Sequence, residues 1–178
     1  MDAANLIQIL TAMASPSAVT SIQFYGLVFL LGSFTVASLS DLKRMAAQKE
    51  FAEVWVAFCF LAFCYDFIRL GETEPVIFAA KWAMILLFAV LSWKYLGIIL
   101  SLSEMDLAAA CAAMSLLNPL YIAGYYVLLV LFKIILRPIL GRFGDGIAMP
   151  FLPVVLIATG IMLFAARLAD IITFLKGA

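Results

Sequence analysis

Between Ile22 and Arg44 the chain reads IQFYGLVFLLGSFTVASLSDLKR, in which the nineteen residues up to Ser40 carry Gln23 as their only large polar side chain before Asp41, Lys43 and Arg44 follow. Nineteen helical residues extend about 28 Å at about 1.5 Å each, close to the thickness of a bilayer's hydrocarbon. The stretch therefore predicts a membrane span that delivers an aspartate, followed by cations, to one membrane surface. The remaining chain has the same character: of 178 residues, 67% are apolar and 12% charged, too little polar surface to cover a water-soluble core.

Five further apolar stretches, over about 54–68, 76–93, 106–117, 120–140 and 150–168, join 22–40 to predict an all-α, polytopic membrane bundle of about six transmembrane helices forming a single domain over 1–178. Their boundaries carry turn and cap residues: Glu72, Glu74 and Pro75, then Asn118-Pro119, then Gly141, Gly144 and Gly146. Ahead of the first span, Leu6, Ile7, Ile9, Leu10 and Met13 follow helical spacing until Ser15-Pro16-Ser17, which predicts a short interfacial helix in 1–21. The apolar run Gly97 to Leu102 is only six residues long, and we expect a re-entrant or interfacial connector there. The following span is rich in alanine, from Ala108 to Ala113, which lets neighbouring helices approach closely.

Composition also narrows the chemistry. Eleven acids balance eleven bases, so no bulk attraction to nucleic acid is expected. The chain has no histidine, and Cys59, Cys64 and Cys111 all sit inside apolar runs, where thiols pack and rarely react. No cofactor or metal is expected, and imidazole-based triads are excluded. Carboxylates remain as the acid and base. If the first span runs outside to inside, Lys43, Arg44, Lys49, Lys94, Lys133, Arg137 and Arg142 lie on the cytoplasmic side, against Arg69, Lys81, Arg167 and Lys176 outside. That topology puts Asp41 and Asp106 at one depth on one side. Two carboxylates that share a proton can hold one ionised, to activate water, and one neutral, to polarise a carbonyl.

The stretches Asp41-Leu42-Lys43-Arg44, Ser103-Glu104-Met105-Asp106 and Pro150-Phe151-Leu152-Pro153 together resemble the type IV prepilin and preflagellin (prearchaellin) peptidases, over about residues 25 to 170. That family has an aspartate and basic residues at the cytoplasmic end of its first span, a Gly-x-Gly-Asp opening its fourth, and prolines opening its last. Here Ser103-Glu104-Met105-Asp106 holds the place of Gly-x-Gly-Asp, and no cysteine-rich zinc-binding insertion is present, as in the short protease-only members. The resemblance implies a membrane-embedded aspartyl endopeptidase in the cytoplasmic membrane, with Asp41 and Asp106 catalytic. Its implied partner is a membrane-anchored prepilin- or prearchaellin-like substrate carrying a short basic leader.

Other acids have plainer accounts. Asp145, in Gly144-Asp145-Gly146, reads as a turn acid beside Arg142, and Asp66 with Arg69 three residues on reads as a local ion pair at the opposite surface. Lys81 lies about a turn inside its span and is expected to snorkel. Glu104 could receive a basic leader or be a solvated loop acid. The alternative to a protease is a transporter or assembly subunit in which the aspartates bind ions or anchor helix ends.

Overall fold

The computed structural model describes residues 20–44, 49–96, 100–140 and 150–177, and among these the chain is helical apart from its connections. Its six helices are α1 (Ser21–Arg44), α2 (Lys49–Leu70), α3 (Pro75–Ser92), α4 (Glu104–Ser115), α5 (Pro119–Leu140) and α6 (Leu152–Gly177). Each coincides with an expected span to within a few residues at most ends, although α1, α2 and α6 run further into the flanking polar sequence. The expected interfacial helix in 1–21 falls almost wholly outside the described residues.

Local chemistry sets the helix starts. Thr20 and Gln23 form a reciprocal cap, with the Gln23 N–H donating to Thr20 Oγ1 (3.3 Å) and the Thr20 N–H donating to Gln23 Oε1 (2.9 Å). Pro75 opens α3 and Pro119 opens α5, where a missing N–H leaves nothing unsatisfied. At the end of α2, a Cβ on Gly71 would lie 2.4 Å from the Phe67 carbonyl oxygen, so only glycine fits the chain's departure from the helix.

Helix α4 is the centre of the bundle. It packs against α1, α2, α3 and α6, while α1–α6, α6–α5, α5–α3 and α3–α2 contacts close the wall around it. Ala109, Ala110, Ala112 and Ala113 are all fully buried, so their small side chains set how closely the wall helices approach. Twelve residues make a helix of only about 18 Å, short of the hydrocarbon thickness and as long as the stretch expected over 106–117.

Four helices, over Ile22–Leu42, Lys49–Leu70, Pro75–Ser92 and Pro119–Ile139, are long and apolar enough to cross a bilayer, and α6 carries a shorter apolar stretch over Leu152–Ala165. Their outer faces present Phe60, Leu61, Leu86, Leu87, Val127 and Ile134, each more than half exposed. Such a surface needs lipid. The chain is a multi-pass membrane protein.

Polar contacts inside the wall tie specific pairs. Trp55 is buried on α2, with its ring edge-on to Phe34 of α1 at 5.3 Å and its Nε1–H donating to Ser33 Oγ at 3.0 Å. Between α5 and α6, Thr159 Oγ1 donates to the Val155 carbonyl (2.7 Å), so its single proton is used and the Tyr125 hydroxyl must donate to Thr159 across a 3.0 Å contact.

Candidate active site

Asp41 stands in the last turn of α1, and its carboxylate lies within electrostatic reach of the backbone N–H of Leu152, the first residue of α6. The first turn of any helix has N–H groups without intrahelical acceptors, and an acid there also meets the positive end of the helix dipole. The proline-flanked sequence Pro150-Phe151-Leu152-Pro153 thus starts α6 where Asp41 can cap it from another helix. Asp106 lies in the first turn of α4. Ser103 is the N-cap: its Oγ accepts from the Asp106 N–H (3.3 Å) and donates to Asp106 Oδ2 (2.7 Å). The serine at the first position of Ser103-Glu104-Met105-Asp106 therefore pins both the backbone and one carboxylate oxygen of the aspartate.

The bundle brings these two aspartates to the same end, within electrostatic reach of one another, and neither is fully buried. One turn before Asp41, Ser38 is 3% exposed and its hydroxyl has no hydrogen-bond partner, an uncommon state for a buried donor. Lys133 of α5 also comes within electrostatic reach of Asp106, and its ammonium donates to the Leu100 carbonyl. Sequence reading treated Lys133 as an interface cation. Its position well before the end of the apolar stretch of α5 was the available signal that it turns inward.

The described residues of the connector between α3 and α4 pack partly into the bundle. Leu100 and Leu102 are buried, the Leu102 N–H donates to the Ser92 carbonyl (2.7 Å), and Trp93 pairs with Leu102 in an isolated bridge. Ser101 between the two leucines has φ 50°, a left-handed conformation that costs a non-glycine residue about 1 kcal/mol. On the exposed rim, Lys94 donates to Glu104 Oε1 at 3.0 Å and lies 4.9 Å from the Tyr95 ring centre. The hydrogen bond to Glu104 raises the Lys94 ammonium above the usual lysine value. Glu104 is thus paired within the chain rather than free.

The opposite end corrects two expectations. Asp66 does not pair with Arg69: its Oδ2 accepts from Lys81 Nζ at 2.6 Å and from Trp82 Nε1 at 3.2 Å. Lys81 does not snorkel, being 2% exposed. Burying a carboxylate and an ammonium separately is far more costly than burying them together, which explains why the longer reach from α2 to α3 prevails over the local pair. Arg69 is left exposed, without an ion-pair partner among the described residues.

Asp145 and its flanking glycines lie outside the described residues. Cys59, Cys64 and Cys111 are free and partly buried, and among the described residues no three acidic or sulfur side chains converge as a metal site would require. No known protein family, characterised protein or solved structure matches the chain.

Proposed function

We propose that this protein is a membrane-embedded aspartyl endopeptidase using Asp41 and Asp106. The observation that carries the proposal is that two aspartates 65 residues apart in sequence, on helices of the wall and of the centre, face the same end of the bundle within electrostatic reach. Among the described residues, neither is in a salt bridge of the kind that Lys81 provides for Asp66. Two such carboxyls hold one proton between them more readily than two charges. The ionised carboxylate takes a proton from water as the water oxygen adds to a peptide carbonyl, and the neutral carboxyl donates a hydrogen bond to the developing oxyanion. The proton taken from water then passes to the peptide nitrogen as the adduct collapses, breaking the C–N bond to release an amine and a carboxylate. Ser38 is a further donor beside Asp41.

The substrate class follows from the site's place at a membrane surface. A peptide carbonyl held in a helix is occupied by its own hydrogen bond, so cleavage belongs in an extended segment just before a hydrophobic helix. A prepilin- or prearchaellin-like protein with a short basic leader has that form, and the excess of cations near this end orients it toward the cytoplasm.

The test is leader removal from a co-expressed substrate of this type. Asp41→Asn and Asp106→Asn should each lower cleavage by roughly 10³-fold or more, as for other catalytic residues that act as a unit, while inserting and unfolding like the parent. Asp145→Asn should cleave normally. Parental cleavage by either dyad variant would leave these aspartates as helix-end anchors in a non-enzymatic membrane component.

A further inference from the structure

At the end of the bundle remote from Asp41 and Asp106, two cavities adjoin. One, of about 290 Å³, is polar and lined by Gln23, Asp66, Arg69, Glu74, Lys81 and Asn118 among others. Its neighbour, of about 250 Å³, is apolar, lies between α1 and α2 and is walled by Gly26, Phe58, Leu61 and Leu116. Gln23 and Asp66 line both, so they stand at the junction.

The polar cavity presents groups of both signs. Lys81 is neutralised by Asp66, but Asp66 accepts through Oδ2 from Lys81 and Trp82, and Oδ1 of this cavity-lining residue takes no hydrogen bond among the described residues. Glu74, at the N-cap of α3, is exposed and makes no side-chain capping bond. Both carboxylates can accept further donors. Gln23 is 7% exposed and uses its Oε1 on Thr20, leaving its amide N–H groups without an acceptor among the described residues. Arg69 supplies five further donors. A ligand that carries an anionic and a cationic group close together would find charge-assisted partners for both here.

We infer that these paired cavities seat one phospholipid with a primary-amine headgroup. Its phosphate accepts from Arg69 and Gln23, its ammonium donates to Asp66 Oδ1 and Glu74, and one acyl chain fills the apolar cavity between α1 and α2. Net charge balances, since the free cation Arg69 and the free anion Glu74 meet a zwitterion. A quaternary choline headgroup has no N–H to offer the two acceptors, and a glycerol headgroup leaves a net negative charge beside Glu74. The lipid site stands independently of the dyad, because it shares no residue with it.

Full-length protein purified in mild detergent and delipidated would be titrated with phosphatidylethanolamine, phosphatidylcholine or phosphatidylglycerol, and the bound lipids counted by native mass spectrometry. One phosphatidylethanolamine should bind at least tenfold more tightly than either competitor. Arg69→Ala and Glu74→Gln, both at exposed positions and expected to fold, should each erase most of that preference. Gly26→Leu should block retention by filling the apolar cavity, where a Cβ already comes within 3.0 Å of Leu116 Cδ1 and 3.2 Å of Phe58 Cζ. Equal binding of the three lipids, or an unchanged preference in both exposed variants, overturns the assignment. Cleavage by the parent protein is scored separately and bears only on the dyad.

Discussion

The two ends of this bundle treat buried acid in opposite ways. At one, Asp66 on α2 is sealed against Lys81 on α3 at 2.6 Å, both almost fully buried. At the other, Asp41 and Asp106 lie partly buried within electrostatic reach of one another, near the Leu152 N–H and bonded to the Ser103 hydroxyl respectively. Opposite charges in direct contact fasten two helices but have no freedom to change protonation. Like charges without a close opposite charge contribute little to stability and keep that freedom. Under the proposed function, the contrast is one between a structural acid and a chemical pair.

The contrast breaks most visibly on removing one partner at the sealed end. Lys81→Met leaves Asp66 buried and uncompensated, which should cost about 3 to 5 kcal/mol. The double variant Lys81→Met with Asp66→Leu should recover most of that loss, because two apolar groups need no partner. Thermal unfolding in detergent reads both. Asp41→Asn, in contrast, keeps an oxygen for the Leu152 N–H and should unfold at nearly the parental temperature. Equal losses at the two ends would erase the distinction.

Much of this was legible in the sequence because lipid imposes a simple rule: an apolar run of the right length becomes a helix. The spans over 54–68 and 76–93 emerged as α2 and α3 for that reason. The alanine-rich stretch after Asp106 was legible as a helix of twelve residues, but its enclosure by the other helices depends on packing, which length does not report. Asp66 was misassigned because i to i+3 spacing reports only contacts within one helix. Its partner on α3 depends on how α2 and α3 pack, and Trp82, which also reaches it, carries no sequence signal. Lys133 was missed similarly, since the connector that receives it becomes an acceptor only once Leu100 folds into the bundle.

A smaller effect should follow from Ser103, which distinguishes the open end's geometry from mere proximity. Ser103→Ala removes both the cap on α4 and the hydroxyl donor to Asp106 Oδ2, and a lost cap costs about 1 kcal/mol. Under the proposed function kcat should fall while KM holds, because Asp106 loses its aim but the leader's docking surface is unchanged. Ser103→Thr keeps the hydroxyl and should restore both stability and kcat. If threonine restores stability alone, the contact to Asp106 Oδ2 has no part in the chemistry.

The smallest effect is expected on the rim. Lys94 and Glu104 are solvent-exposed, and exposed pairs add little to stability, so Lys94→Ala should leave the unfolding temperature unchanged. Its consequence lies in docking. Glu104 is the acid nearest Asp106 in sequence, and Lys94 occupies the place a leader lysine would take. Freeing Glu104 should lower KM for a Lys-rich leader a few-fold, with kcat and a neutral leader unaffected, and high salt should remove the difference. Glu104→Gln should do the reverse and raise KM for the same leader. The pH dependence has a definite sign: a lysine raised by its partner contributes fully below its unfolded value, and that contribution is lost as pH rises through the folded one. The parent should therefore approach Lys94→Ala behaviour only at strongly alkaline pH, above the ordinary lysine range. A higher KM in Lys94→Ala would mean instead that Lys94 holds Glu104 in place for the leader, and the competition would be refuted.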